Sequence, residues 1–177
     1  EESPFQVGTM PPRIILIGPM GSGKSTIGSL LAEKLNLPFR DTDVVVEKES
    51  GKSVSEIFLE DGEDKFRALE KIALRAELLT DNTVLALGGG APISIDAQSA
   101  LRAIASPVIY LDISLSSVAD RIGFNRDRPL LLQNPRAQWE SLMQARRPIY
   151  ESVADYIVDV NGKSREDIVD EVLAVLA

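Results

Sequence analysis

The chain contains no cysteine and no histidine. Without cysteine there are no disulfides and no thiolate metal sites, which fits a reducing cytoplasm. Without histidine, proton transfer near neutral pH falls to carboxylates, Lys, Tyr or water. Uninterrupted apolar runs of about 18 residues are also missing, so no membrane-spanning helix is expected. The first residues lack a basic segment followed by an apolar core, so no secretory signal is expected either. A net charge of −8 disfavours a general nucleic-acid binder. What remains is 177 residues, 44% hydrophobic and 26% charged, which suits one globular domain with a substantial core.

The charge is unevenly spread. Between Arg121 and Arg147 lie six arginines (Arg121, Arg126, Arg128, Arg136, Arg146, Arg147) against two acids, Asp127 and Glu140. A basic segment inside an acidic chain points to an anionic ligand, the alternative being a solvated helix face.

Residues 1–12, "EESPFQVGTMPP", have no periodicity and read as a disordered leader or expression remnant ahead of a single domain, 13–177. Beyond them, strand-like runs alternate with amphipathic stretches. "RIILIG", "LPFRD", "TVLALGGG", "PVIYLD" and "ADYIVDV" read as five strands. "KSTIGSLLAEKLN", "VVVEKES" and "SREDIVDEVLAVL" read as helices, and "SVSEIFLEDG" opens a further helix with a capping box. "EDKFRALEKIALRAELLT" carries Phe66, Leu69, Ile72, Ala73, Ala76 and Leu79 at helical spacing. Such alternation predicts a three-layer α/β domain with a mainly parallel sheet, its ligands beyond the carboxyl ends of the strands. Segment 123–136, "GFNRDRPLLLQNPR", reads as a lid. Nothing reads as a coiled coil, so a monomer is expected.

"GPMGSGKS" (18–25) matches G-x-x-x-x-G-K-[ST] and sits between a strand and a helix, the context a P-loop requires. Gly18, Gly21 and Gly23 let backbone N–H groups wrap a nucleotide's phosphates. Lys24 reaches the β- and γ-phosphates, and Ser25 offers a hydroxyl to Mg²⁺. The expected cofactors are therefore ATP and Mg²⁺, with Ser22 and Thr26 completing the phosphate loop. A P-loop does not by itself say where the phosphoryl group goes.

Asp41 and Asp43, in "RDTDVVVE", end a strand and begin a helix at the same sheet edge. One suffices as a helix N-cap. A second carboxylate nearby adds repulsion and calls for a function, either metal binding by Asp41 or proton acceptance by Asp43. The glycines of "LALGGGA" mark either a strand-end turn or a place where something must come close.

Taken in order and spacing, the P-loop, "DTD", "GEDKFRALE", "LALGGGA", "RDRPLL" and "RRPIY" resemble the shikimate kinase family from about Arg13 to the C-terminus. The resemblance implies a P-loop kinase fold with a five-stranded parallel sheet, and ATP-dependent phosphorylation of the 3-hydroxyl of shikimate. It implies that Asp43 holds that hydroxyl as probable base and that Asp41 lies near Mg²⁺. Arg67 and Arg146 match the arginines that grip the substrate carboxylate, within acid-binding helices at about 42–80 and in "RRPIY". Glu70, one helical turn from Arg67, would orient it. Gly88, Gly89 and Gly90 match the turn that approaches substrate and γ-phosphate, and Arg128 matches the lid arginine. Arg121 and Lys163 match regions flanking adenine.

The chemistry agrees, because a carboxylate suits the planar fork of Arg, and phosphoryl transfer needs placed cations such as Lys24 and Arg128. The match to R-x-P-x-Y favours Arg146 over Arg147. No acid precedes "GGG" where a Walker-B aspartate would sit; Asp112 is the candidate, unless it merely ends its strand. Two other readings are a kinase for a different hydroxy acid such as gluconate, and a nucleotide-dependent switch.

Overall fold

The computed structural model of the protein describes residues 11–122 and 135–177. Five strands run parallel in one sheet: Ile14–Ile17 (β1), Phe39–Asp41 (β2), Val84–Ala86 (β3), Val108–Asp112 (β4) and Tyr156–Asp159 (β5), in the order β2-β3-β1-β4-β5. The expected five-stranded parallel sheet is present. All four residues of β1 are fully buried, as are Val84 and Leu85 of β3 and Val108 to Leu111 of β4. Inner strands covered on both faces need continuous apolar runs rather than alternation, which is what these sequences supply.

Helices Lys24–Leu35 (α1), Thr42–Ser50 (α2), Val54–Glu60 (α3), Glu63–Leu78 (α4), Ile95–Ala103 (α5), Leu115–Ile122 (α6), Pro135–Val153 (α7) and Arg165–Leu176 (α8) link and flank the strands. The crossover from β1 to β2 runs one way across the sheet, and that from β3 to β4 runs the other. Right-handed connections therefore put α1 on one face and α5 on the opposite one. α8 packs against α1, and α7 against α5. The two faces account for the three layers.

A second, smaller core holds the segment between β2 and β3. Val45, Val46, Ile57, Phe66 and Ala73 are buried together there, with Val54, Phe58 and Leu69 packed against them, joining α2, α3 and α4. Side chains start two of these helices. Asp41 accepts from the Asp43 N–H at the head of α2, and Ser53 accepts from the Glu56 N–H at the head of α3, as the capping pattern predicts.

Three expectations need correction. The buried face of α4 is Phe66, Glu70, Ala73, Leu74, Glu77 and Leu78. Ile72 and Leu79, which the spacing counts with the apolar stripe, are 59% and 41% exposed. The helix turns two glutamates inward because each meets an arginine: Glu70 accepts from Arg67 at 2.8 Å, and Glu77 takes Arg40 of β2 in a two-pronged pair at 2.6 and 2.8 Å. α5 has no counterpart in the sequence reading, although Ser94 caps it by accepting from the Ala97 N–H. Pro12, assigned to the leader, is buried, and its carbonyl accepts from the Ser106 hydroxyl at 2.5 Å. Residues 1–10 of the leader and most of the lid, residues 123–134, lie outside the described residues; Pro135 and Arg136 already belong to α7.

Glu77 is 4% exposed while Arg40 remains half in solvent, so removing the arginine strands a buried carboxylate. Arg40→Met is expected to destabilise the fold by about 2 kcal/mol. Urea unfolding checks this, and an unchanged midpoint and slope would contradict it.

Candidate active site

Because the connections leaving β1 and β3 diverge, a crevice opens between their carboxyl ends, where open α/β sheets bind ligands. The P-loop follows β1 on one side of it, and Gly88–Gly90 follow β3 on the other. A cavity of about 300 Å³ occupies the crevice. It gathers Gly21, Gly23, Lys24, Ser25, Thr26, Asp41, Asp43, Arg67, Gly88, Gly89, Gly90 and Arg146, most of the residues selected from the sequence.

On the P-loop side, Gly21 and Gly23 have φ of 85° and 94°, left-handed values that a β-carbon would oppose. The loop thus turns its amides toward the head of α1, where a helix N-terminus favours an anion. Lys24 folds back and donates to the carbonyls of Gly18 and Pro19 at 2.8 and 2.9 Å. Ser22 is buried beneath the loop rather than facing the cavity.

The "DTD" segment bridges the two sides. The Ser25 hydroxyl donates to Asp41 at 2.9 Å, while the other oxygen of Asp41 caps α2. The alternatives of cap and phosphate-side ligand are therefore compatible in one carboxylate. Thr42, fully buried, accepts from the Gly88 N–H at 2.9 Å and fastens α2 to the glycine turn. Asp43 lies in the first turn of α2 with its carboxylate over Gly88; a β-carbon on that glycine would come within 2.5 Å of Asp43 Oδ1.

Gly90 repeats this arrangement, and Gly89 is bordered at ordinary contact distance. A β-carbon on Gly90 would overlap the Arg67 guanidinium, and one on Gly89 would touch Arg146 Nη1 at 3.5 Å. Each glycine thus lies under one charged side chain. Arg67 is held by Glu70 at 2.8 Å and Glu63 at 3.6 Å, and its guanidinium lies 5.2 Å from the centre of the Phe66 ring. Burial pushes the Glu70 carboxyl above the usual range, and the Arg67 charge and hydrogen bond oppose that rise. Phe58 and Phe66, 4.9 Å apart, give the cavity an apolar wall, and Trp139 and Met143 of α7 line it as well.

The structure separates the two candidate arginines. Arg147 turns to Asp112 at the end of β4, at 3.3 Å, and only Arg146 lines the cavity. Asp112 also accepts from Tyr110 at 3.0 Å, so it ends its strand and ties down α7. Lys163 is not brought to this cavity; it lies between β5 and α8, two strands away from β1, and pairs with Glu171 at 2.9 Å. Arg121 falls in α6, and Arg128 lies outside the described residues. Sequence reasoning missed Thr42, the Phe58–Phe66 wall and Trp139. The middle residue of "DTD" was a signal for the first; the others give none short of the fold.

The family model for shikimate kinase matches residues 20–177. The shikimate kinase of Salinispora arenicola is 46% identical over 168 residues, covering 95% of this chain and 99% of that protein. Among solved structures, the shikimate kinase from Acinetobacter baumannii in complex with shikimate aligns with a TM-score of 0.85 and 32% identity, covering 95% of this chain and 93% of that one. A gluconokinase from Sinorhizobium meliloti, 21% identical with a TM-score of 0.58 over 96% of this chain and 93% of that one, shares the fold alone.

A methyl group at position 88 would meet the Asp43 carboxylate first and displace it. Gly88→Ala should fold normally by circular dichroism yet lose about 100-fold in ATP turnover, the scale expected if the displaced carboxylate takes part in the reaction and moves by about 1 Å. Full turnover in that variant would show that Asp43 need not sit where it does.

Proposed function

The chain belongs to the shikimate kinase family, and on that premise we propose a role for each residue of its pocket. The activity is ATP-dependent phosphorylation of shikimate. We assign the acceptor to the 3-hydroxyl, giving shikimate 3-phosphate and ADP. The observation that carries the assignment is the glycine turn with Asp43, Arg146 and Arg67 each laid over one of its residues, in the same cavity as the P-loop.

In this reading Arg67 and Arg146 take the substrate carboxylate, where a planar fork binds bidentately. The Phe58–Phe66 wall covers the apolar side of the ring. Glu70 holds Arg67 in place through its 2.8 Å bond. Asp43 accepts the proton of the hydroxyl as its oxygen bonds to the γ-phosphorus and the bond to the β-phosphate oxygen breaks. Lys24 exchanges its two carbonyl partners for phosphate oxygens, and the amides of residues 21–26 carry the rest of the phosphate charge. Arg128, outside the described residues, is assigned to the phosphates, and Arg121 and Lys163 to the adenine.

Ser25 and Asp41 suit Mg²⁺, being a hydroxyl and a carboxylate 2.9 Å apart on the phosphate side of the cavity. Among the described residues no cluster of three or more metal-ligating side chains occurs. A cation that keeps most of its waters and takes phosphate oxygens needs no such cluster. When bound, Mg²⁺ would neutralise charge on the phosphates. Among the described residues no helix is long and apolar enough to cross a membrane. We assign the protein to the cytoplasm as a monomer, with no nucleic-acid partner; the lack of cysteine and the acidic balance support this.

The direct test is ADP release from MgATP with shikimate, with gluconate and with neither. Stimulation by shikimate alone is expected; release that ignores both acids, or answers to gluconate, would sink the assignment. Asp43→Asn should lower turnover by about 10³-fold while ATP still binds. If the variant turns over normally, another group takes the proton.

A further inference from the structure

α7 carries a residue whose chemistry exceeds what packing requires. Tyr150 is fully buried, and its ring lies 5.1 Å from that of Tyr110. Phenylalanine would fill the same space. A hydroxyl in such a place is costly unless satisfied, and this one donates to the carbonyl of Gly89 at 2.6 Å. Tyr150 also stands four residues after Arg146, hence on the same face of the helix one turn on. The Arg146 guanidinium borders the same residue of the turn, where a β-carbon on Gly89 would meet Nη1 at 3.5 Å. The Tyr150 hydroxyl and the Arg146 guanidinium thus meet at Gly89.

The neighbours of Tyr150 fix it in turn. Tyr110 donates to Asp112 at 3.0 Å, and Asp112 receives Arg147 at 3.3 Å. α7 is therefore pinned to the end of β4 by Arg147 and to the end of β3 by Tyr150, with Arg146 next to the first pin and one helical turn before the second. Burial pushes the Tyr150 hydroxyl up, with Arg146 opposing the rise, so it stays a neutral donor at physiological pH.

We propose that the Tyr150 hydroxyl is a positioning group that sets Arg146 and the Gly89 turn relative to one another, presetting the carboxylate clamp before the acid arrives. The inference rests on the reading of Arg146 as a carboxylate ligand. It assigns Tyr150 no contact with substrate; the hydroxyl acts through its two neighbours, by removing freedom that binding would otherwise have to remove.

The test uses Tyr150→Phe, Arg146→Ala and the double variant, in the full chain. Shikimate binding can be followed without ATP through the fluorescence of Trp139, the single tryptophan, which lines the cavity. Tyr150→Phe is expected to weaken shikimate binding and raise its KM by about tenfold, the equivalent of one well-placed hydrogen bond, with the KM for ATP unchanged. In the Arg146→Ala background the same change should have no further effect, because the partner through which it acts is gone. A Tyr150→Phe variant that loses thermal stability but binds shikimate as the wild type does would overturn the inference, as would defects that multiply in the double variant. Normal shikimate binding by Arg146→Ala alone would bring down both the site assignment and the inference. An ordinary Arg146→Ala defect beside a silent Tyr150→Phe would bring down only the latter.

Discussion

The site depends on two residues of one short turn, Gly88 and Gly90, having no side chains. At Gly88, Gly89 and Gly90 the space a β-carbon would fill is taken or bordered by Asp43, Arg146 and Arg67, which come from three different helices. Neither a lone carboxylate nor a pair of arginines is unusual. What the bare backbone adds is proximity: charges of both signs converge on one short turn that ends a buried strand. None of these glycines relies on a positive φ, so their role is space rather than conformational freedom. In the P-loop the opposite holds, since Gly21 and Gly23 supply the left-handed turns that let the amides face an anion.

A second theme is the placement of glutamates inside α4. Glu70 and Glu77 occupy the buried face of an otherwise apolar contact, each opposed by an arginine. Glu77 joins the helix to the edge strand, and Glu70 orients a residue of the site. Buried ion pairs add little net stability against well-packed apolar substitutes, but they are intolerant of losing one member. They therefore specify where the helix sits more than how firmly.

Legibility from the sequence followed the range of the interactions. The P-loop and "DTD" were readable because phosphate binding and helix capping are settled within a few residues of chain. The inner strands were readable because burial on both faces leaves an unbroken apolar run. The face of α4 was misjudged at Ile72 and Leu79, since the partner that draws Glu77 inward, Arg40, lies 37 positions away. Thr42 depends on Gly88, 46 positions on, and Tyr150 on Gly89, 61 positions back. The choice between Arg146 and Arg147 was made by motif and then explained by Asp112, whose attraction for Arg147 has no local sign. Lys163 was carried over by position, and its nearest charge, Glu171, belongs to the following helix.

The division of the interior into two cores bears on how such a protein can diverge. Helices α2, α3 and α4, to which the proposed function gives the acid, rest on a small cluster of their own, while the P-loop strand and its helix belong to the large one. On the proposed reading, Phe66, which lines the cavity, and Val46 and Ile57, which pack in its cluster, would shape the acid's side of the site, and none of the three belongs to the cluster around the P-loop strand. Descent with a changed acceptor then requires repacking a handful of side chains, and the phosphoryl-donating half can be inherited intact.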